Sequence, residues 1–322
     1  MPTALITGGA GFIGSNLARF LLTKGHEVIV IDNLLTGSIE NITPVADQIQ
    51  FVEGDIRDRD LMRELCAGVD VIFHQAALPS VPRSIDDPWK TNDHNVNGTM
   101  SVLEAARDAE VRRVVYAASS SVYGDTKVLP KEETMCACPK SPYAVSKHIA
   151  ELYGSVFSDV YGLETVGLRY FNVFGPQQSP DSAYAAAIPK FIDRFRQGKP
   201  PVIYGDGEQT RDFTFVENVL HANWQAAHAP AENVTGELFN VGCGDRITVN
   251  ELVQEIRQIL DADIDPVHDD PRPGDVRHSL ADISKAQAAF GYEPLVSLHE
   301  GLRRTIDWFV SQEDTVSSNA SV

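Results

Sequence analysis

The sequence predicts an α/β protein: a doubly wound parallel sheet joined to a smaller α/β domain. Three observations carry that expectation. Short, continuously apolar runs alternate with amphipathic stretches through the first half of the chain, as in parallel β-α-β units covered by helices on both faces. A glycine-rich turn joins the first apolar run to the first amphipathic stretch. Beyond Arg169 the alternation gives way to turn-rich sequence punctuated by proline and glycine.

Taken in order, strands are expected at residues 4–7, 27–31, 50–53, 69–73, 113–117 and 165–168, with helices at 15–23, 58–66 and 96–108 between them. Residues 176–184 read as turns, 186–196 as a helix, and 198–207 as a loop and strand. Residues 214–216 and the helix 218–229 read as a return to the sheet, followed by a further strand at 237–241. A helix at 249–260 precedes an acidic loop with three prolines at 261–275, and a closing helix spans 297–310. The polar residues 312–322 read as a frayed, flexible tail. This divides the chain into a first domain, 1–171 with 211–240 returning to it, and a second, 172–210 with 241–311.

Composition narrows the function. The 322 residues carry 27 Lys and Arg against 45 Asp and Glu, a net charge of −18. So acidic a surface repels phosphate backbones and anionic lipid, which argues against nucleic-acid and membrane-surface binding. Four cysteines are too few for a disulfide framework. Cys136 and Cys138 form a lone C-x-C that does not make a zinc site, so no metal is expected and the thiols read as reduced. No apolar stretch reaches membrane-spanning length, and no basic segment precedes an apolar one at the N-terminus; the expected location is cytoplasmic.

Thr7-Gly8-Gly9-Ala10-Gly11-Phe12-Ile13-Gly14 follows the first strand and opens the first helix. Glycines at these spacings let the backbone approach a pyrophosphate, which then sits on the helix N-terminus. Gly8, Gly11 and Gly14 are the cradle residues. Asp32 ends the second strand, where a carboxylate hydrogen-bonds ribose hydroxyls and repels a 2′-phosphate, and no Arg or Lys follows in 33–37. The expected cofactor is therefore NAD. Asp55 ends the third strand; an adenine contact and a turn cap fit it equally well.

Ser141-Pro142-Tyr143-Ala144-Val145-Ser146-Lys147 reads as a helix start with Ser141 as N-cap. Tyr143 and Lys147 then share one helix face. A free phenol, with a pKa of roughly 10, is too weak a base at neutral pH. A nearby ammonium and a positive nicotinamide favour its phenolate. Ser119-Ser120-Ser121 follows the strand at 113–117, where strand ends meet the ligand crevice.

Together with Val122-Tyr123-Gly124 and Arg169-Tyr170-Phe171-Asn172, these motifs resemble the extended short-chain dehydrogenase/reductase family over nearly the whole chain. Within it the sequence is most similar to nucleotide-sugar 4-epimerases, especially bacterial UDP-N-acetylglucosamine 4-epimerases. The resemblance implies a Rossmann-type cofactor domain, a UDP-sugar domain, and Ser119, Tyr143 and Lys147 as catalytic residues. It implies that Ser119 and Tyr143 contact the sugar O4, that Lys147 binds the nicotinamide ribose, and that Asn172 lies near the substrate phosphates. Around NAD it adds Phe12, Ile13, Asn33, Ile56, Gln75, Ala76, Ala77 and Tyr170. Around the substrate it adds Ser80, Arg83, Ser120, Ser121, Ala186, Ala187, Val202 and Tyr204. Arg211 and Arg272 match the family's pyrophosphate-binding arginines, and Asp275 its uridine-ribose ligand. On spacing alone both arginines read as surface ion-pair residues.

Dehydratases and decarboxylases of the group carry an acid where Ser120 or Ser121 stands here, so the resemblance favours simple epimerisation. Ser279 occupies a position that is tyrosine in glucose-restricted relatives and small in those accepting N-acetylhexosamines; on spacing alone it caps a turn. Arg83 suits a uronate carboxylate, so a 4-epimerase restricted to UDP-glucose or to UDP-uronates stays open beside one for N-acetylated sugars, as does a nucleotide-sugar oxidoreductase or dehydratase. The resemblance also implies a homodimer joined through the helices at 96–108 and 147–160.

Overall fold

A computed structural model describes residues 1–180, 186–271 and 276–319. The strands of the first half are β1 (Thr3–Thr7), β2 (Glu27–Asp32), β3 (Ile49–Glu53), β4 (Val71–His74), β5 (Arg113–Ser119) and β6 (Glu164–Tyr170). Its helices are α1 (Phe12–Thr23), α2 (Arg59–Cys66), α3 (Val81–Asp86), α4 (Pro88–Asn92), α5 (Gly98–Asp108) and α6 (Pro142–Tyr161). The second half holds the strands β7 (Val173–Phe174), β8 (Val202–Tyr204), β9 (Thr210–Arg211), β10 (Thr214–Phe215), β11 (Glu237–Val241), β12 (Ile247–Thr248) and β13 (Val267–Asp269). Its helices are α7 (Ala187–Arg196), α8 (Val216–His228), α9 (Ala231–Val234), α10 (Val249–Ile259), α11 (Ser284–Phe290) and α12 (Leu298–Asn319).

The main sheet has the order β11-β6-β5-β4-β1-β2-β3, and all its pairings are parallel. Its central strand explains the continuous apolar runs. Ala4 and Ile6 pack into the cluster that holds Leu17, Leu21 and Val219, whereas Leu5 packs with Met62, Leu65 and Val102. Alternate side chains point to opposite faces, so a strand covered on both sides must be apolar at every position. One face carries α1 and α8, the other α2, α5 and α6.

The second region is built from short two-stranded pairs, β8 with β13 and β9 with β12, and from packing among α7, α10 and α12. Two expectations are corrected here. Residues 214–216 do not rejoin the main sheet: β10 pairs with β7. The place beside β6 belongs to β11, leaving α8 as the part that returns. The closing helix does not stop at 310 but runs to Asn319, since no glycine or proline interrupts residues 311–319. Among the described residues no helix is long and apolar enough to cross a membrane.

Candidate active site

The strand ends converge on a cavity of about 1000 Å³. It opens where the sheet order reverses between β1 and β4, the position where open α/β sheets bind ligands. The turn after β1 brings the backbone close to this crevice. Gly8 has φ +70°, and a Cβ there would stand 2.7 Å from Ala76 Cα. A Cβ on Gly14 would strike the Gly8 carbonyl and come within 2.7 Å of Gly9 Cα. Gly11 takes the N-cap position of α1 without a side chain to satisfy the helix N–H groups, which suits a phosphate.

At the end of β2, the Asp32 carboxylate accepts from Ala10 N (3.0 Å) and Leu34 N (2.8 Å). Burial pushes its carboxyl upward, opposed by those backbone donors. Asp55 does act as a turn cap: its Oδ1 accepts from Arg57 N at 2.9 Å, and its carboxylate pairs with the Arg57 guanidinium at 2.7 Å. The Arg57 hydrogen bond holds Asp55 far below the usual carboxylate range. It also lines the cavity, as do Phe12, Ile13, Asn33, Ile56, Gln75, Ala76, Ala77 and Tyr170. These residues fit a dinucleotide carrying an unphosphorylated adenosine ribose.

On the opposite wall stand Ser119 at the end of β5 and Tyr143 in the first turn of α6. Ser141 caps that helix by accepting from Ala144 N at 3.2 Å, with Pro142 behind it. A hydrogen bond joins the Tyr143 phenol to Ser119 and pulls its pKa down, but burial outweighs it and raises the value. Ser119 Oγ also accepts from Ser121 N (3.2 Å) and Ser121 Oγ (2.9 Å). The Lys147 ammonium donates to the Ala117 carbonyl at 2.8 Å. Burial lowers Lys147 to about 8, with Glu151 one turn along the helix acting to raise it.

The cavity is also walled by Ser80, Arg83, Ser120, Ser121, Asn172, Ala186, Arg211 and Ser279. Asn172 Nδ2 donates to the Asp212 carbonyl at 2.8 Å, and Arg211 Nη1 donates to the Thr210 carbonyl at 2.9 Å. Between these stands Asp212, fully buried, whose carboxylate gathers the N–H groups of Cys243 (2.8 Å), Gly244 (3.1 Å) and Ala281 (3.1 Å). Burial raises its carboxyl to about 6 against the pull of those donors.

Three sequence-derived substrate residues are not brought to the cavity wall. Ala187 begins α7, while Val202 and Tyr204 lie in β8, whose pairing is with β13. Arg272 and Asp275 lie outside the described residues. Conversely, the structure adds Lys131, His94, His278 and Trp308 to the wall. None follows a strand of the main sheet or belongs to a glycine motif, so spacing offered no signal for them. Among the described residues no group of three or more His, Cys, Asp and Glu side chains is placed to hold a metal ion.

Residues 4–242 match the family model described as the NAD dependent epimerase/dehydratase family. The chain is 39% identical over 313 residues to a putative UDP-glucose 4-epimerase of Methanocaldococcus jannaschii, covering 97% of this chain and 99% of the relative. It is 40% identical over 309 residues to UDP-glucose 4-epimerase of Mycolicibacterium smegmatis, covering 95% and 97% of the two chains. Among solved structures it superposes with TM-score 0.92 on UDP-N-acetylglucosamine 4-epimerase from Methanobrevibacter ruminantium M1, determined in complex with UDP-N-acetylmuramic acid. Identity there is 40%, with 97% of this chain and 99% of that one covered. Matched this fully, and with a glycine cradle, strand-end Asp32 and a Ser119–Tyr143 pair facing one cavity, the chain belongs to the NAD dependent epimerase/dehydratase family and has NAD as its cofactor.

Proposed function

We propose that the protein is a UDP-hexose 4-epimerase interconverting UDP-N-acetylglucosamine and UDP-N-acetylgalactosamine, and UDP-glucose with UDP-galactose, through a transient 4-keto sugar. The observation that carries this reading is the serine turn. Ser119, Ser120 and Ser121 line the cavity beside Tyr143, with no carboxylate among them to drive loss of water or of carbon dioxide from the keto sugar. The epimerases reported above act on UDP-hexoses, which agrees with it.

Held by the Gly8–Gly14 turn, Asp32 and Lys147, NAD would supply the hydride acceptor and donor for C4. The chain handles the proton and the orientation. Tyr143, as phenolate, takes the O4 proton, and Ser119 holds the same oxygen by hydrogen bonding. The Lys147 ammonium, anchored on the Ala117 carbonyl, holds the ribose next to the nicotinamide and supplies a positive charge on the helix face it shares with Tyr143. Arg211 and Arg272 hold the diphosphate, a dianion that the protein's overall negative field does not attract. In this reading the 4-keto hexose turns about its diphosphate linkage within the cavity and presents its other face. Tyr143 then returns the proton to O4.

Ser279, small and buried in the wall, leaves space for a 2-acetamido group. Restriction to UDP-uronates is the second reading, favoured by Arg83 on the same wall. The test is incubation with UDP-N-acetylglucosamine, UDP-glucose and UDP-glucuronate without added reductant, followed by NMR of the C4 configuration. Conversion of the first two is expected. Conversion of UDP-glucuronate alone would favour the second reading, and conversion of none would refute both.

The proposal includes a homodimer joined through α5 and α6. Val145, Leu152, Val156 and Val160 form an exposed apolar stripe at helical spacing along α6, with Leu152 55% and Val160 65% exposed. Trp89, on the adjoining α4, is 83% exposed. It also retains the division of the chain into a cofactor domain, 1–171 with 211–240, and a UDP-sugar domain, 172–210 with 241–311, with α8 and β11 as the parts of 211–240 that pack on or join the main sheet.

A further inference from the structure

Lys131 belongs to no motif and to no step of the chemistry above, yet its surroundings are those of a ligand-binding group. It lies in the segment between the serine turn and α6 and is only 2% exposed. Its backbone is locked against the strap that carries Ser279. Lys131 N donates to the Leu280 carbonyl at 2.7 Å, and Asp282 N donates to the Lys131 carbonyl at 2.9 Å. Lys131 thereby forms a parallel bridge with Ala281, two residues beyond Ser279. Its side chain runs back toward the turn after Gly124, where Nζ donates to the Thr126 carbonyl. Lys131, Ser121, Gly124 and Ser279 all line the same cavity.

An ammonium has three donors, and burying one is costly unless each donor finds an acceptor. The bond found for this one among the described residues goes to the Thr126 carbonyl, a neutral acceptor. The nearest acidic influence is Asp125, which acts to keep the ammonium charged while burial acts against it. A stem of four methylenes would fill the wall as well if it ended in a methyl group. The charged end is accounted for by an acceptor that arrives with the substrate, on the Ser279 side of the hexose.

We infer that Lys131, which lines the same cavity as Ser279, is a substrate-binding residue whose buried ammonium hydrogen-bonds an acceptor substituent of the hexose, the carbonyl of a 2-acetamido group. Ser279 then supplies the space for that group and Lys131 the bond that recognises it. Space alone admits both substrate classes, whereas a buried donor left without an acceptor discriminates against the sugar lacking the carbonyl. The inference rests on the UDP-hexose reading.

The experiment compares kcat/KM for UDP-N-acetylglucosamine with that for UDP-glucose in the wild type, Lys131→Met and Lys131→Gln, each NAD-loaded. Lys131→Met keeps the stem and removes the donors; Lys131→Gln keeps a neutral donor. Loss of a hydrogen bond from a charged donor should lower the ratio of the two constants about tenfold to a hundredfold in Lys131→Met. Lys131→Gln should fall between it and the wild type, and it carries the test by itself should the Met variant not fold. A purely structural role would lower both constants by the same factor, and an unchanged ratio in the folded variants would overturn the inference. Failure of the wild type to convert either sugar would instead overturn the function it rests on, so the two failures are distinguishable.

Discussion

Tyr143 and Lys147 show how far chemistry at one residue depends on its setting. The i, i+4 spacing puts them on one helix face, but the ammonium is anchored on the Ala117 carbonyl, and burial raises the phenol while Ser119 opposes. In the proposed mechanism the positive nicotinamide therefore adds to the charge that favours the phenolate. Tyr143→Phe is expected to abolish C4 conversion while leaving NAD bound, because the ring is retained and only the proton acceptor is lost. Undiminished turnover, measured alongside the NAD content of the purified variant, would remove Tyr143 as the base. Lys147 supplies a prediction in pH. Its folded value, about 8, lies below the ordinary 10.5, so between those limits the unfolded chain holds more protons than the folded one. Stability of the cofactor-free protein should therefore gain from this group as pH rises from 8 to 10.5. Lys147→Met should remove that contribution, and urea titrations at several pH values read the difference in slope. An identical slope in both proteins would count against the buried, depressed lysine.

The helix α6 was legible in sequence at its start and obscure in its interior. Ser141 and Pro142 mark the N-terminus because capping is a local matter, settled within four residues. Nothing local announces that Glu151, one turn past Lys147, receives a two-pronged hydrogen bond from Arg169 of β6, with Nε at 2.7 Å and Nη2 at 2.8 Å. The same guanidinium reaches the Tyr123 hydroxyl at 2.8 Å, tying α6 to the turn that carries the serines. Arg169 was noted only as part of a motif; its partner is 18 residues away and on another element. Both side chains are almost wholly buried. Removing the acid leaves a buried cation unpaired, so Glu151→Ala should cost about 3–5 kcal/mol of stability. Chemical denaturation measures it, and a loss below about 1 kcal/mol, the worth of an exposed pair, would show that the pair is not buried in solution. The π-helical segment Asp93–Asn97 was likewise invisible. Its Asn95 accepts from Leu78 N at 2.7 Å and donates to Ser146 at 2.9 Å, seating the crevice loop against α6.

For the molecule as a whole, the net charge of −18 excludes less than it explains. In the proposed function, a field that repels anions leaves diphosphate capture to local donors, the N-terminus of α1 and arginines such as Arg211. The proposed homodimer makes its prediction at this scale. Leu152→Glu together with Val156→Glu places charge on both sides of the α6 stripe, where it would be desolvated in the dimer and solvated in the monomer. Light scattering should find the wild type at twice the 35.3 kDa chain mass and the double variant at the chain mass. A wild type of chain mass would refute the dimer.

By itself the sequence determined the alternating β-α pattern, the cradle at Gly8–Gly14, the carboxylate at Asp32, and the shared face of Tyr143 and Lys147. Each is set by periodicity, by the conformational demands of a turn, or by helix spacing, all of which act over a few residues. The tertiary structure alone decided that β10 pairs with β7 instead of the main sheet. It also decided that Val202 and Tyr204 are paired with β13, and that the Asp212 carboxylate joins Cys243 and Gly244 to Ala281, two residues beyond Ser279. Those outcomes depend on which distant segments compete for one sheet edge or one buried carboxylate, a choice that no short stretch of chain contains.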